Sequence, residues 1–235
     1  MGAASEALVL FDIDGTLLRT EGVGIAAMLA AFRALHGDRG FSFDGMQIAG
    51  ALDGLLFGTI AERHGLPSDD AAHDAFVETY REELARTLTA ERTRRMAGAA
   101  ELAAALHAEG AAVGLLTGNY EPTARLKIAA AGYDDAHFPF GAFGRDGPSR
   151  RHLTPVALAR AARHHGRDFA PARTVVIGDT PLDVDCAQAH GCRAIGVATG
   201  PFAREALAAS GADLALDDLA DTGRLLDWIL PDRSR

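Results

Sequence analysis

Leu8-Val9-Leu10-Phe11-Asp12-Ile13-Asp14-Gly15-Thr16-Leu17-Leu18 is the stretch from which the architecture of this 235-residue chain can be predicted. Its first four residues form an apolar run, short and branched enough to predict a buried parallel strand. Two carboxylates follow, one residue apart, and strand periodicity would direct Asp12 and Asp14 to the same side. Carboxylates held so close repel each other and need a cation or a shared proton at neutral pH. Because open α/β sheets place their chemistry at the carboxyl ends of strands, we predict a site at this point.

Composition limits the classes of function that fit. The chain is 48% hydrophobic and 23% charged, which is ordinary for a globular protein. Its formal net charge of −9 argues against a nucleic-acid binder and against adhesion to an anionic membrane. Residues 1–6 lack the pattern of a signal peptide, and no apolar run approaches the length of a membrane span. Two cysteines, Cys186 and Cys192, without metal-binding spacing predict buried thiols. We therefore expect a cytoplasmic protein with neither a nucleic-acid nor a membrane partner.

A long helical tract follows the first predicted strand. Apolar residues recur at helical spacing over Gly24–Leu35, Leu52–His64 and Ala71–Leu88, without strand-like alternation of any length. An all-helical insert of this size predicts a separate small domain. We place it at residues 19–97, between the two parts of a core formed by residues 1–18 and 98–235.

From Ala99 onward the pattern alternates between helices and short apolar runs. Strands are predicted at Ala112–Leu116, Thr174–Ile177 and Ala194–Val197, with a weaker candidate at Phe138–Phe143. Strands that alternate with helices predict a parallel sheet covered on both faces. The core is therefore expected to be α/β.

Polar residues stand at the ends of three of the predicted strands. Asp12 and Asp14 end the first, Thr117-Gly118-Asn119 follows the second, and Gly178-Asp179-Thr180-Pro181-Leu182-Asp183 follows the third. In a parallel sheet these ends share one edge and can converge. A cluster of carboxylate oxygens selects a hard cation, Mg²⁺ before transition metals, with open positions that suit phosphate oxygens. Since a carboxylate can also attack phosphorus as a nucleophile, these residues predict metal-assisted phosphoryl transfer.

Taken together and in this order, the three motifs resemble those of the haloacid dehalogenase-like (HAD) hydrolase superfamily, near its phosphoglycolate-phosphatase-like members. The helical tract lies between the first and second motifs, where members with a helical cap carry it. The resemblance implies a Rossmann-like parallel sheet with an inserted all-helical cap domain.

The resemblance also implies a role for each matching residue. Asp12 matches the nucleophile, which becomes phosphorylated, and Asp14 matches the general acid/base. The phosphate-holding motif corresponds to Thr117 with the amides of Gly118 and Asn119. The positions that match or adjoin the Mg²⁺ site are Asp12, Asp14 through its backbone carbonyl, Asp179, and Asp183 as a ligand or a partner of the ligands.

One position departs from the family pattern. The family usually places a lysine ahead of the helix that precedes the last motif, but residues 146–152 contain none. Counting back from the helix predicted at Pro155–His165, Arg150 is the best substitute and Arg151 the next. Arginine supplies a permanent charge and a fork that can hold two oxygens, although its reach and geometry differ from those of lysine. Lys127, the single lysine, lies in the helix after Asn119, where we expect a solvated residue.

Three functions remain open at this point. The leading one is a Mg²⁺-dependent phosphomonoester hydrolase that acts on a small phosphorylated metabolite through an aspartyl-phosphate. A phosphomutase would use the same acidic pair, and the missing lysine would fit a non-catalytic binding protein of this fold. The substrate depends on cap residues, and although Gly50-Ala51-Leu52-Asp53 resembles a substrate-contacting cap loop, Ala51 stands where relatives often carry a polar or basic residue.

Overall fold

A computed structural model of the chain describes residues 6–231. The strands are β1 (Leu8–Phe11), β2 (Leu18–Arg19), β3 (Arg94–Arg95), β4 (Ala112–Leu116), β5 (Gly141–Ala142), β6 (Thr174–Gly178), β7 (Arg193–Val197) and β8 (Leu214–Leu216). The α-helices are α1 (Val23–His36), α2 (Asp53–His64), α3 (Asp70–Thr87), α4 (Ala99–Ala108), α5 (Glu121–Ala130), α6 (Leu153–His165), α7 (Pro181–Gln188), α8 (Arg204–Ala209) and α9 (Thr222–Ile229).

Six strands form one parallel sheet in the order β5-β4-β1-β6-β7-β8. The predicted α/β class with a Rossmann-like parallel sheet is thus confirmed. The weak strand expected at Phe138–Phe143 is shorter than predicted, because a short 3₁₀ helix at Asp135–His137 precedes it and only β5 pairs with β4.

Strand β1 lies at the centre of the sheet and is fully buried on both faces. Its alternation sends Leu8 and Leu10 to one face, where they pack in a cluster with residues of α6 and α7. Val9 and Phe11 point to the other face, in a cluster that includes residues of α4, α5 and α9. The continuous apolar run is therefore what a strand covered by helices on both sides requires.

The segment between β2 and β3 is helical and has its own apolar cluster. Helices α1, α2 and α3 each contribute one ring to its centre, and the Phe32 ring lies 5.9 Å from that of Phe57 and 4.4 Å from that of Phe76. The chain enters through β2 and leaves through β3, which pair antiparallel. Residues 1–5 and 232–235 of the predicted core domain lie outside the described residues.

The two cysteines are buried and unpaired with each other, as the sequence predicts. Within residues 6–231, none of the helices combines the length and the apolar character that a bilayer crossing requires.

Candidate active site

Three neighbouring strands deliver the polar residues of the site. β1 lies between β4 and β6, so the loops that follow these three strands meet at one edge of the sheet. The Asp12 amide donates to the carbonyl of Ile177 in β6 at 2.9 Å, which extends the pairing one residue beyond β1. At the end of β4, the Thr117 amide donates to the carbonyl of Ala142 in β5 at 3.0 Å, which extends that pairing in the same way. The predicted convergence of the three motifs is what this topology produces.

Asp12 lies in a buried cluster of carboxylates. Oxygens of Asp12, Asp179 and Asp183 lie within 4.8 Å of one another. The pKa of Asp12 is raised to about 6, chiefly by burial and also by the charges of Asp183 and Asp14, although Arg150 opposes the shift. Burial likewise raises the pKa of Asp179 to about 8, with Asp12 and Asp183 adding to the effect. The three carboxylates therefore carry more negative charge than the positive charge beside them offsets.

Arg150 is the cation of this cluster. It begins a 3₁₀ turn that leads into α6, and its side chain is only 5% exposed. Its Nη2 lies 3.1 Å from Asp12 Oδ1 and also pairs with Asp183, while Nη1 donates to the carbonyl of Gly50 at 3.0 Å. Nε has no hydrogen-bond partner among the described residues. The structure thus brings the predicted substitute for the lysine into contact with Asp12, whereas Arg151 is exposed and pairs with Asp185.

The donor set of the cluster fits Mg²⁺. All three side chains offer carboxylate oxygens, which are the ligands of a hard cation. The pKa values of Asp12 and Asp179 are raised first by burial and then by neighbouring carboxylates, and a bound cation would offset both effects. A Cβ on either Gly15 or Gly200 would collide with the Asp179 carboxylate. Glycine at both positions therefore makes room for the Asp179 side chain in the cluster. Asp183 also accepts from the Thr180 amide and hydroxyl, but carboxylate oxygens carry further lone pairs for a cation.

Asp14 has different surroundings from those of Asp12. Its Oδ2 accepts from Lys127 Nζ at 2.6 Å and from Asn119 Nδ2 at 2.8 Å. Lys127 also donates to Asn119 Oδ1 at 2.6 Å, which closes a ring of three hydrogen-bonded side chains. The Asp14 side chain is 44% exposed and lies at the wall of the cavity described below.

The expectation that Lys127 is a solvated helix residue is wrong. Its side chain is 5% exposed and ends against Asp14. The reason is the orientation of α5, whose buried residues are Thr123, Ala124, Lys127 and Ile128. That spacing is one face of a helix, so the sequence did hold a signal that Lys127 points toward the core.

The loop after β4 holds the phosphate-binding motif predicted from the sequence. The Thr117 hydroxyl oxygen accepts from Asn119 Nδ2 at 2.7 Å. A Cβ on Gly118 would collide with the carbonyl of Ala51, so glycine permits the loop at residues 50–53 to approach. The Gly118 carbonyl accepts from the Asp53 amide at 2.7 Å, which joins this loop to the helical segment.

Asp53 is a site residue that the sequence did not single out. It begins α2, is buried, and its Oδ2 accepts from the Tyr120 amide at 3.0 Å. Burial raises the pKa of Asp53 to about 7, although Lys127 and the Tyr120 amide oppose the shift. Only its place in a cap-like loop hinted at this role.

A cavity of about 630 Å³ opens between these strand ends and the helical segment. Its lining includes every residue of the predicted site except Asp183, which lies behind Arg150. The predicted residues are therefore brought together around one space large enough for a small-molecule ligand.

Comparisons with known proteins agree with this geometry. The family model described as haloacid dehalogenase-like hydrolase matches residues 9–188. The phosphoglycolate phosphatase of Salmonella paratyphi A is 30% identical over 122 residues, which are 52% of this chain and 47% of that protein. The bifunctional riboflavin kinase/FMN phosphatase of Arabidopsis thaliana is 26% identical over 95% of this chain and 56% of its own length. The chain thus matches about half the length of these curated relatives.

The fold has close counterparts among solved structures. A hydrolase from Pseudomonas syringae superposes with a TM-score of 0.66 at 22% identity, covering 95% of this chain and 99% of that one. The family that the three motifs predict is therefore confirmed, together with its fold.

Proposed function

The chain belongs to the haloacid dehalogenase-like hydrolase family, and from that premise we propose that it is a Mg²⁺-dependent phosphatase of small phosphorylated metabolites. The observation that carries the proposal is the contact of Arg150 with Asp12 inside the carboxylate cluster, at the wall of the cavity. Curated relatives named as phosphatases support it.

In the proposed mechanism Asp12 attacks phosphorus, and the bond from phosphorus to the ester oxygen breaks. Asp14 donates a proton to the departing oxygen and then takes one from the water that hydrolyses phospho-Asp12. Lys127 and Asn119 both bind Asp14 Oδ2, and among the described residues nothing is bonded to Oδ1. This arrangement holds the carboxyl in one orientation with an oxygen available for proton transfer.

Positive charge near the transferring group would come from two sources. Arg150 is in contact with the nucleophile, so its permanent charge would lie close to the transferring phosphoryl group. Mg²⁺ would be held by Asp12, Asp179, Asp183 and the Asp14 carbonyl, and would neutralise charge on the phosphoryl oxygens. Thr117 with the amides of Gly118 and Asn119 would bind the remaining oxygens.

The helical segment would serve as a mobile cap. We place it at residues 19–97, hinged at the β2–β3 pair, with residues 1–18 and 98–235 as the catalytic core. In the present arrangement the cap contacts the core through the Asp53 amide and Gly118 carbonyl and through Arg150 and Gly50. Closure would exclude bulk water during phosphoryl transfer, and opening would release product. A cytoplasmic location and a small-molecule partner complete the proposal.

The test is hydrolysis of p-nitrophenyl phosphate by the purified protein. We expect turnover with Mg²⁺, loss of turnover on chelation and recovery when Mg²⁺ is restored. Asp12→Asn should reduce kcat by roughly 10⁴-fold or more, because the nucleophile is removed. An unchanged rate after chelation or in Asp12→Asn would refute the mechanism.

The same preparation separates the two other functions. A phosphomutase would convert a sugar phosphate into an isomer without net release of phosphate, whereas the proposed phosphatase releases phosphate and forms no isomer. A non-catalytic protein would turn over no ester. The missing lysine motivated this alternative, and the contact of Arg150 with Asp12 supports the phosphatase instead.

A further inference from the structure

The helical segment contributes apolar side chains to the cavity, and these bear on the identity of the leaving group. Four large ones are among the lining residues, and we refer to them as the apolar wall: Ile25, Met28, Ile48 and Leu56. Met28 and Leu56 are buried, and Ile25 and Ile48 are half-buried. A substrate that reaches these side chains would gain from covering apolar surface.

Little of the positive charge around the cavity is free to bind a second anionic group. Five acidic and three basic side chains line it: Asp12, Asp14, Glu21, Asp53 and Asp179, and Arg19, Lys127 and Arg150. Two of the three cations, Lys127 and Arg150, are already paired with carboxylates, whereas Arg19 contacts only a neutral carbonyl in the part of the chain that the structure describes. Lys127 binds Asp14 and Asn119, Arg150 binds the carboxylate cluster, and the exposed Arg19 donates to the carbonyl of Thr199.

A carboxylate at the end of a leaving group that covers the apolar wall would therefore lose water beside apolar side chains. Of the three cations, only the solvent-exposed Arg19 is without a carboxylate partner within residues 6–231 and could offset that cost. An uncharged leaving group carries no such cost. The Tyr80 hydroxyl, which lies at the cavity wall near Gly24, offers it a polar contact.

The size of the cavity points in the same direction. At about 630 Å³ it lies within the range that encloses drug-sized ligands, roughly 300–1,000 Å³. A phosphorylated two-carbon acid is too small to fill a cavity of this volume, whereas a longer, less polar alcohol could also cover the apolar wall.

We propose that the substrates are phosphate monoesters of uncharged, largely apolar alcohols long enough to reach Met28 and Leu56, rather than phosphorylated carboxylic acids. The inference rests on the proposed phosphatase function and deepens it by naming the class of leaving group. It separates this chain from what the name of the phosphoglycolate phosphatase relative would suggest.

The experiment compares two esters that differ only at the far end of the chain, n-hexyl phosphate and 6-phosphonooxyhexanoate. Their ester oxygens have nearly the same acidity, so a difference in kcat/KM reports recognition of the distal group. We expect n-hexyl phosphate to be preferred by at least about tenfold. Equal rates, or a preference for the carboxylate, would overturn the inference.

A positive charge introduced at the apolar wall tests whether these side chains cause the preference for n-hexyl phosphate. Ile48→Arg places a cation at a half-buried loop position, and it should narrow the preference by raising kcat/KM for the carboxylate ester. The matched control is Leu55→Arg, because Leu55 is 50% exposed on α2 and does not line the cavity. If Leu55→Arg changed the preference as much as Ile48→Arg, the effect would not come from the cavity and the inference would fail.

p-Nitrophenyl phosphate distinguishes the two levels of the proposal. If it is not hydrolysed, the phosphatase function fails and the inference fails with it. If it is hydrolysed while the carboxylate ester is preferred to n-hexyl phosphate, the phosphatase function stands and only the inference about the leaving group fails.

Discussion

Asp12 and Asp14 are two residues apart in the chain, but their surroundings differ in exposure and in charge. The Asp12 side chain is 6% exposed and shares one buried cation, Arg150, with Asp183 while Asp179 lies beside it. The Asp14 side chain is 44% exposed and pairs with Lys127, whose other hydrogen-bond partner is the neutral Asn119. The Asp12 side of the site therefore has an excess of negative charge. On the Asp14 side, one carboxylate is paired with one cation.

This difference follows from where the two residues lie relative to β1. Asp12 continues the strand between β4 and β6, so it is enclosed by sheet neighbours and by α7, which carries Asp183. Asp14 lies two residues beyond Asp12, at the wall of the cavity, where it accepts a hydrogen bond from Lys127 of α5. An unbalanced buried cluster suits binding of a metal and a phosphoryl group, whereas a balanced pair suits a carboxyl that must be held still while it exchanges protons. Removal of the Arg150 charge and removal of the Lys127 charge should therefore affect catalysis differently.

Removal of the Arg150 guanidinium should have the largest effect. Arg150→Met would leave the carboxylate cluster without its cation, and we expect kcat/KM to fall by about 10²–10³-fold. The loss should be the same for p-nitrophenyl phosphate and for an alkyl phosphate, because Arg150 contacts the nucleophile and not the leaving oxygen. Steady-state kinetics with both esters measures it.

Arg151→Met is the matched control for this prediction. Arg151 is the next residue, but it is exposed and its ion pair with Asp185 lies at the surface, where such pairs contribute little. Its variant should behave as the unmodified protein does. Comparable losses in both variants would show that Arg150 has no special relation to Asp12.

Removal of the Lys127 ammonium should have a smaller and selective effect. Lys127→Met would free the Asp14 carboxyl to rotate, so kcat/KM for an alkyl phosphate should fall by about 10–10²-fold. For p-nitrophenyl phosphate we expect a change below about threefold, since nitrophenolate leaves without a proton from Asp14. The two esters serve as internal controls for folding, because a misfolded variant would lose both. Equal losses would mean that Lys127 does not act through Asp14.

The fold could be predicted from the sequence because its decisive features are local. The apolar run of β1 and the predicted strand Ala112–Leu116 need no knowledge of their neighbours. The meeting of Asp12 with Asp179 also follows, since adjacent parallel strands end at the same edge of a sheet. Arg150 could be chosen as the substitute for the lysine because it lies just ahead of the helix that became α6.

The Asp14 side of the site could not be predicted in the same way. The position of Lys127 depends on which face of α5 packs inward, and that is decided by contacts with the core and with α3, distant in sequence. The burial of Asp53 depends on the approach of a loop from the helical segment to Gly118. The inward position of Lys127 and the burial of Asp53 are both tertiary effects. Only the position of Lys127 has a local signal, which is the spacing of the buried residues in α5.

The smallest effect concerns Asp53, which lies on the Asp14 side and would disturb its charge balance if it were ionised. Its pKa is about 7 in the folded protein, raised by burial from an ordinary value of 3.8. Between these two pH values the folded protein holds a proton that the unfolded chain has released. The free energy of unfolding should therefore fall as the pH rises through this window, by at most about 1.4 kcal/mol per pH unit.

Asp53→Asn cannot ionise and should escape this loss. Its free energy of unfolding, measured relative to that of the unmodified protein by urea titration at pH 5, 6, 7 and 8, should increase with pH by about 1–3 kcal/mol and level off above pH 7. Asp44→Asn, at an exposed loop position, is the control and should show no such trend. If the difference between Asp53→Asn and the unmodified protein is constant with pH, Asp53 is ionised throughout the range. The Asp14 side would then carry two carboxylates against one lysine, and the contrast with the Asp12 side would be one of exposure alone.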